Sequence, residues 1–267
     1  MWLESKMIMG EELNVANFNY GISTDWMTRF LSEYDKTWII DILKHYCNGV
    51  DIPYNSMLGR LDALTLYAMV RHFQPDSILE IGGGISTNIM FKALETNQKR
   101  VRMANFAMEL QAGLKPVPGN VVFRHVPGDL LSNFILYPLD EIANLSMVFI
   151  DGAHESFFAT YYCYEILDKI PKGCIVQIHD MQPPDVVTDG CRSGKIKLGN
   201  NSHPAICDEE YTALYYLRHN KFRLIASTSD LVEKSTDLLS FIPGVSESMC
   251  KRPQIEAPAS SIWLEKV

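Results

Sequence analysis

The hydrophobic pattern changes its period along the chain, and that change predicts the architecture. From Asp25 to Tyr46 the apolar residues Trp26, Phe30, Trp38, Ile39, Ile42 and Leu43 recur at helical spacing, until Asn48-Gly49 ends the run. A second helix is predicted from Arg60 to Phe73, where Leu61, Leu64, Leu66, Ala68, Met69 and Phe73 form a broad apolar surface and Gln74-Pro75 stops it. Beyond Pro75 short apolar runs take over. Ser77 to Ile81, Val101 to Ala107, Val121 to His125, Met147 to Ile150 and Cys174 to His179 each read as a buried strand, with helical stretches near Thr87 to Thr96 and Phe157 to Ile170. Strands alternating with helices predict an α/β protein whose mostly parallel sheet carries helices on both faces. Ligands of such sheets sit beyond the carboxyl ends of the strands, so the residues after each run become the candidates for chemistry.

The remainder is less regular. Met181 to Glu209 is rich in Pro, Gly, Asn and Asp and reads as one long loop over that crevice. Glu210 to Asn220 resumes as a helix, Phe222 to Ser227 as a sixth strand and Ser261 to Glu265 as a last one, while Asp230 to Pro258 has no legible period. The chain therefore divides into an N-terminal helical extension or cap, residues 1–57, and a main domain, residues 58–267, with its long loop at 181–209.

Composition narrows the functional classes. With 267 residues, 24 basic against 32 acidic, and a formal charge of −8, the chain lacks the basic surplus of a nucleic-acid or anionic-membrane binder. No stretch approaches the roughly 20 apolar residues of a spanning helix, and Met1 to Asn14 has no signal-like apolar core. The six cysteines, at 47, 163, 174, 191, 207 and 250, form no CxxC pair. Reduced thiols and a cytoplasmic location are the expectation, with a small molecule as ligand and a homodimer left open.

The most informative segment is Ser77-Ile78-Leu79-Glu80-Ile81-Gly82-Gly83-Gly84-Ile85-Ser86-Thr87, a strand, a glycine turn and a helix start capped by Ser86 or Thr87. Glycine suits such a turn because it adopts positive φ and lets a ligand approach the main chain. The dinucleotide fingerprint fails here, since Thr87 stands where its third glycine belongs and no ribose-binding acid follows about 20 residues on. An acid on the strand followed by GxG, here Glu80 and Gly82 to Gly84, is the other pattern, that of S-adenosylmethionine methyltransferases.

Further blocks extend the likeness in the expected order. Arg60-Leu61-Asp62 through Gln74-Pro75 and the glycine segment resemble the entry to a class I methyltransferase domain. Val148-Phe149-Ile150-Asp151-Gly152-Ala153-His154, Glu165-Ile166-Leu167 and Pro171 to Asp180 are similar to the later blocks of a bacterial small-molecule and sugar methyltransferase group, as is the tail Ser260 to Leu264. The resemblance spans roughly residues 58 to 227 plus the tail. It implies the Rossmann-like class I methyltransferase fold with seven strands, S-adenosylmethionine as cofactor, and methylation of a small molecule, on oxygen of a sugar or secondary metabolite.

The resemblance also implies roles. Glu80 would orient the glycine turn or the methionine amino group, Gly82, Gly83 and Gly84 would admit the cofactor, Ser86 would join them in binding it, and Asp129 would meet the adenine amino group. Asp151 would serve both cofactor and catalysis. Class I enzymes usually end the second strand on an acid for the ribose hydroxyls. Asn105 is the nearest residue here, and it lacks the charge that strengthens such bonds. Methyl transfer to a hydroxyl needs alignment and proton removal, for which His154 and His179 are the candidate bases. A strand-end histidine can equally bond a neighbouring carbonyl. Asp180 need not orient His179, since adjacent strand residues face opposite ways. Asp151 and Asp180 also stand where related O-methyltransferases hold Mg2+. Two alternatives remain open: an inactive methyltransferase-like binding or scaffold protein, and a non-methyl use of the same cofactor.

Overall fold

The structure, a computed structural model, describes residues 36–50, 52, 58–109, 113–128, 139–152, 162–181, 197–198, 205–206, 219–234 and 260–267. Its elements in chain order are helix α1 (Lys36–Cys47), helix α2 (Arg60–Phe73), strand β1 (Ser77–Ile81), helix α3 (Ile85–Asn97), strands β2 (Val101–Ala107) and β3 (Val121–Pro127), a single helical turn α4 (Leu139–Ile142), strand β4 (Met147–Ile150), a π-helical segment (Tyr162–Leu167) and strand β5 (Ile175–Ile178). Two short strands follow, β6 (Lys197–Leu198) and β7 (Ala205–Ile206), then β8 (Phe222–Ser227), helix α5 (Thr228–Lys234) and β9 (Ile262–Lys266).

Seven strands form one sheet in the order β3-β2-β1-β4-β5-β9-β8. The five on the β3 side are mutually parallel, whereas β9 runs antiparallel to both β5 and β8. This is a Rossmann-like, mostly parallel sheet in which the one antiparallel strand, β9, is inserted between β5 and the edge strand β8. Chain order reverses between β1 and β4, because β1 connects to β2 on one side and β4 to β5 on the other. Right-handed crossovers in those opposite directions place their helices on opposite faces and open a crevice between the tips of β1 and β4.

The central strands are short apolar runs because both faces are covered. Every residue of β1, β4 and β5 is buried. Helix α2 is buried from Leu61 to Val70, broader than one amphipathic stripe, because α1 and α3 pack on either side of it. It stops at Gln74, which takes a left-handed conformation (φ 46°) ahead of Pro75. Trp38 of α1 lies edge-on to His72 and close to Phe73, packing α1 against the last turn of α2.

Several boundaries differ from the sequence-based expectation. The segment between Met181 and Glu209 contains the parallel pair β6 and β7, too short to leave a periodic signal. Part of the patternless Asp230 to Pro258 stretch is helical, since α5 runs to Lys234. The Phe157 to Ile170 helix is represented by the π-helical segment Tyr162–Leu167. Its earlier residues, the Asp25 to Asp35 part of the first helix and most of Glu210 to Asn220 lie outside the described residues. Among the described residues no helix is long and apolar enough to cross a membrane.

Candidate active site at the strand tips

Glu80 organises the glycine turn. It is fully buried near the end of β1, and three side chains converge on its carboxylate. Ser86 Oγ donates to Oε1 at 2.7 Å, Thr87 Oγ1 to Oε2 at 2.8 Å and Asn105 Nδ2 to Oε2 at 2.7 Å. The first turn of α3 is thereby fastened beneath the bend, and Gly84 N closes it by donating to Thr87 Oγ1 at 3.3 Å. Burial pushes the Glu80 carboxyl up to about 7, aided by the Asp151 charge and opposed by the three donors. Of the two roles expected for Glu80, orienting the turn is the one its contacts display.

Gly82 is required by the fold itself. Its φ is +85°, and a Cβ there would lie 1.8 Å from the main-chain oxygen of Asp151, because the chain leaves β1 against the tip of β4. Gly83 presses on Asn105, where a Cβ would come within 2.8 Å of Nδ2. Gly84 (φ 152°) is the N-cap residue of α3, so the cap falls there rather than on Ser86 or Thr87, which lie within the first turn with their hydroxyls on Glu80.

Asn105, the residue expected nearest the ribose, is engaged with protein partners. It is fully buried within β2, which continues to Ala107. Its Nδ2 also donates to Gly82 O at 2.7 Å, and its Oδ1 lies 3.0 Å from His125 Nδ1. Both ends of the amide are thus engaged in bracing the turn. An aspartate here would set a second carboxylate against Glu80, which explains why an amide stands at this position. Ser86 is likewise engaged with Glu80. Asp129 and His154, expected near the adenine and the acceptor, lie outside the described residues.

Across the crevice stand Asp151, directly after β4, and His179 and Asp180, directly after β5. His179 is buried, while Asp151 and Asp180 remain partly accessible. The His179 Nδ1 atom lies 3.4 Å from Asp151 Oδ1 and 3.2 Å from Asp180 Oδ1. The alternation of strand residues, by which Asp180 need not orient His179, does not apply here. Strand β5 ends at Ile178, and Asp180 adopts the left-handed conformation (φ 58°), which returns its carboxylate to the imidazole.

A fourth member, Asp62, was quoted in the sequence only as part of a family block. It lies fully buried in the first turn of α2, with Oδ2 3.8 Å from His179 Nε2. Thr228 Oγ1 donates to its Oδ1 at 2.5 Å, Ser261 N to Oδ1 at 3.1 Å and Ser260 N to Oδ2 at 2.9 Å. Helix α2, the start of α5 and the approach to β9 therefore meet on one carboxylate. The available signal was an acid within an otherwise apolar helical surface, which is uncommon unless the acid has partners.

These acids set the charge on His179. Burial alone would lower its pKa, but close approach of the Asp151 carboxylate and the charges of Asp62 and Asp180 outweigh burial and bring it to about 9. In the metal-free protein His179 thus carries a proton at neutral pH, opposite to what a base needs. Neither ring nitrogen meets an aligned hydrogen-bond partner. The contacts to Asp151 and Asp180 are ion-pair distances without hydrogen-bond alignment. One donor atom each from Asp151, His179 and Asp180 lies within 4.8 Å of the others, a set that fits a divalent cation.

No protein-family model and no curated protein matches the chain. Solved structures give distant likenesses. TomG, an O-methyltransferase of Streptomyces achromogenes involved in tomaymycin synthesis and solved with S-adenosylmethionine, is 19% identical over 71% of this chain and 81% of its own, with TM-score 0.42. The Podospora anserina methyltransferase PaMTH1, solved with S-adenosylhomocysteine, is 11% identical over 94% and 97%, with TM-score 0.41. MycE of the mycinamycin pathway, solved with Mg and S-adenosylhomocysteine, is 18% identical over 85% and 54%, with TM-score 0.40. At such identities these likenesses assign no activity.

Proposed function

We propose that this protein is an S-adenosylmethionine-dependent methyltransferase that methylates an oxygen of a small molecule, a sugar or secondary metabolite, in the cytoplasm. The observation that carries the reading is the juxtaposition at the reversal of strand order. A glycine bend braced by Glu80 at the tip of β1 faces the Asp151, His179 and Asp180 cluster at the tips of β4 and β5. One side of the crevice suits a nucleoside approaching bare main chain, and the other suits an acceptor hydroxyl. The family resemblance of the sequence blocks names the cofactor.

The bound cofactor would supply an electrophilic methyl on sulfur. The chain's own residues hold the acceptor in line with it and receive the hydroxyl proton. Asp151 is suited to both tasks, since its partly accessible carboxylate follows β4 directly and its main chain abuts the glycine bend. Asp180 fixes the other side of the acceptor. His179, with Asp62 on its far side, places its charged Nδ1 beside both carboxylates. A divalent cation, Mg2+ in the reading from sequence, would be held by Asp151, Asp180 and His179 and would make the acceptor hydroxyl more acidic.

Calorimetric titration of the full chain with S-adenosylmethionine and S-adenosylhomocysteine tests the proposal. Saturable binding of both is expected. Absence of heat at millimolar ligand would refute it. The internal engagement of Asn105 favours one second reading, a protein that binds the cofactor weakly and performs no transfer. In that case titration succeeds while no labelled methyl group leaves the cofactor with any hydroxylated acceptor.

A further inference from the structure

We propose that the Asp151, His179 and Asp180 cluster is a mixed nitrogen and oxygen centre for a first-row transition-metal dication rather than magnesium, entered through His179 Nδ1. The inference rests on the functional reading above for placing the acceptor, whereas cation binding is tested separately from it.

The first support is the state of the imidazole. His179 is 2% exposed, and both ring nitrogens lack an aligned hydrogen-bond partner. The imidazole is held among Asp62, Asp151 and Asp180 by charge rather than by aligned hydrogen bonds, which leaves Nδ1 able to exchange its proton for a cation. Nδ1 is the atom aimed at Asp151 and Asp180, and Nε2 faces Asp62.

The second support is spacing. Metal-to-nitrogen and metal-to-oxygen bonds of about 2.1 Å make neighbouring ligand atoms about 3.0 Å apart around an octahedral ion and about 3.4 Å apart around a tetrahedral one. The separations here, 3.4 Å to Asp151 and 3.2 Å to Asp180, fall inside that interval. They also exceed the usual length of a charge-assisted hydrogen bond, about 2.7–2.9 Å.

The third support is the opposite ring edge. Metal-binding histidines are commonly oriented by a carboxylate on the other nitrogen, which fixes the tautomer and raises the basicity of the ligating atom. Asp62 stands on that side, 3.8 Å from Nε2, as a charge contact rather than a hydrogen bond. It cannot move to the cation itself, because Thr228, Ser260 and Ser261 hold both its oxygens. The left-handed backbone at Asp180 acts in the same direction, turning a second carboxylate onto Nδ1.

The donor set then selects the ion. Magnesium takes oxygen ligands and keeps its waters, whereas imidazole favours iron, cobalt, nickel and zinc. One imidazole and two carboxylates leave further positions for water and an acceptor hydroxyl.

The test uses the full chain after chelator treatment, titrated calorimetrically with CoCl2, MnCl2 and MgCl2. Co2+ is expected to bind at least about tenfold more tightly than Mg2+. The Co2+ complex should show one exchangeable, paramagnetically shifted ring N–H proton, from His179 Nε2, which vanishes in His179→Asp. His179→Asp should also narrow the preference for Co2+ over Mg2+, because its donors are all oxygen. Asp62→Asn should weaken Co2+ binding roughly 10–100-fold. Equal affinity for Mg2+ and Co2+, no binding at millimolar metal, or a Co2+ complex without that proton would overturn the proposal. Metal-free thermal melts accompany each variant, and if a variant does not fold, the wild-type ranking and proton signal decide the matter. S-adenosylhomocysteine binding without metal binding would leave the transferase reading intact, and the reverse result would remove it while keeping the metal centre.

Discussion

Glu80→Gln tests how the glycine turn is held, through the dependence of stability on pH. Glutamine copies the shape of the protonated side chain. Its carbonyl can accept from Thr87 and Asn105 while its amide donates to Ser86, whose hydroxyl also accepts. In the wild type the carboxyl rises from an ordinary 4.5 to about 7, chiefly through burial. A carboxyl with a raised folded pKa binds its proton more tightly when folded, so its contribution is complete below 4.5 and is lost as pH climbs to 7. At about 1.4 kcal/mol per pH unit the loss is roughly 3 kcal/mol. His179, raised from 6.5 to about 9, acts in a higher window, with stability full below 6.5 and lost as pH rises through 9. The two contributions therefore separate along the pH axis. Denaturant midpoints of metal-free wild type and Glu80→Gln, measured from about pH 4.5 to about pH 8, give the difference in stability. The variant should gain on the wild type by roughly 3 kcal/mol across that range, most of it before pH 7. A difference that stays constant with pH would show that Glu80 is not held protonated by burial and would refute the reasoning.

Two substitutions probe the frame of the site. Gly82→Ala sets a Cβ 1.8 Å from the Asp151 carbonyl at a φ of +85°, so a loss of at least about 3 kcal/mol is expected from overpacking and backbone strain together, measured by chemical unfolding. Asp62→Ala removes the acceptor of the Ser260 amide and one of two acceptors for Thr228 Oγ1 and the Ser261 amide, which also bond within the Thr228–Ser261 pair. It should cost roughly 3–5 kcal/mol, while hydrogen exchange should report faster opening at the start of β9 than in β2.

The sequence by itself determined the layered frame and the place of the chemistry. Strands β1, β2, β4 and β8 and helix α2 coincide with their apolar runs, because a strand buried on both faces, or a helix packed on both sides, must be apolar along its length. The glycine turn was legible because few residues tolerate such a bend, and the residues after β4 and β5 followed from the rule that open α/β sheets bind at their carboxyl ends. Tertiary structure decided who touches whom. Asp62 joins His179 across more than a hundred residues of chain, Asn105 proves to be a brace for Glu80, and Asp180 turns back on its neighbour. None of these carries a periodic signal, since each depends on how separate elements meet and on one backbone angle. The charge on His179 belongs to the same class: three carboxylates from three elements set it, and only the fold brings them within reach.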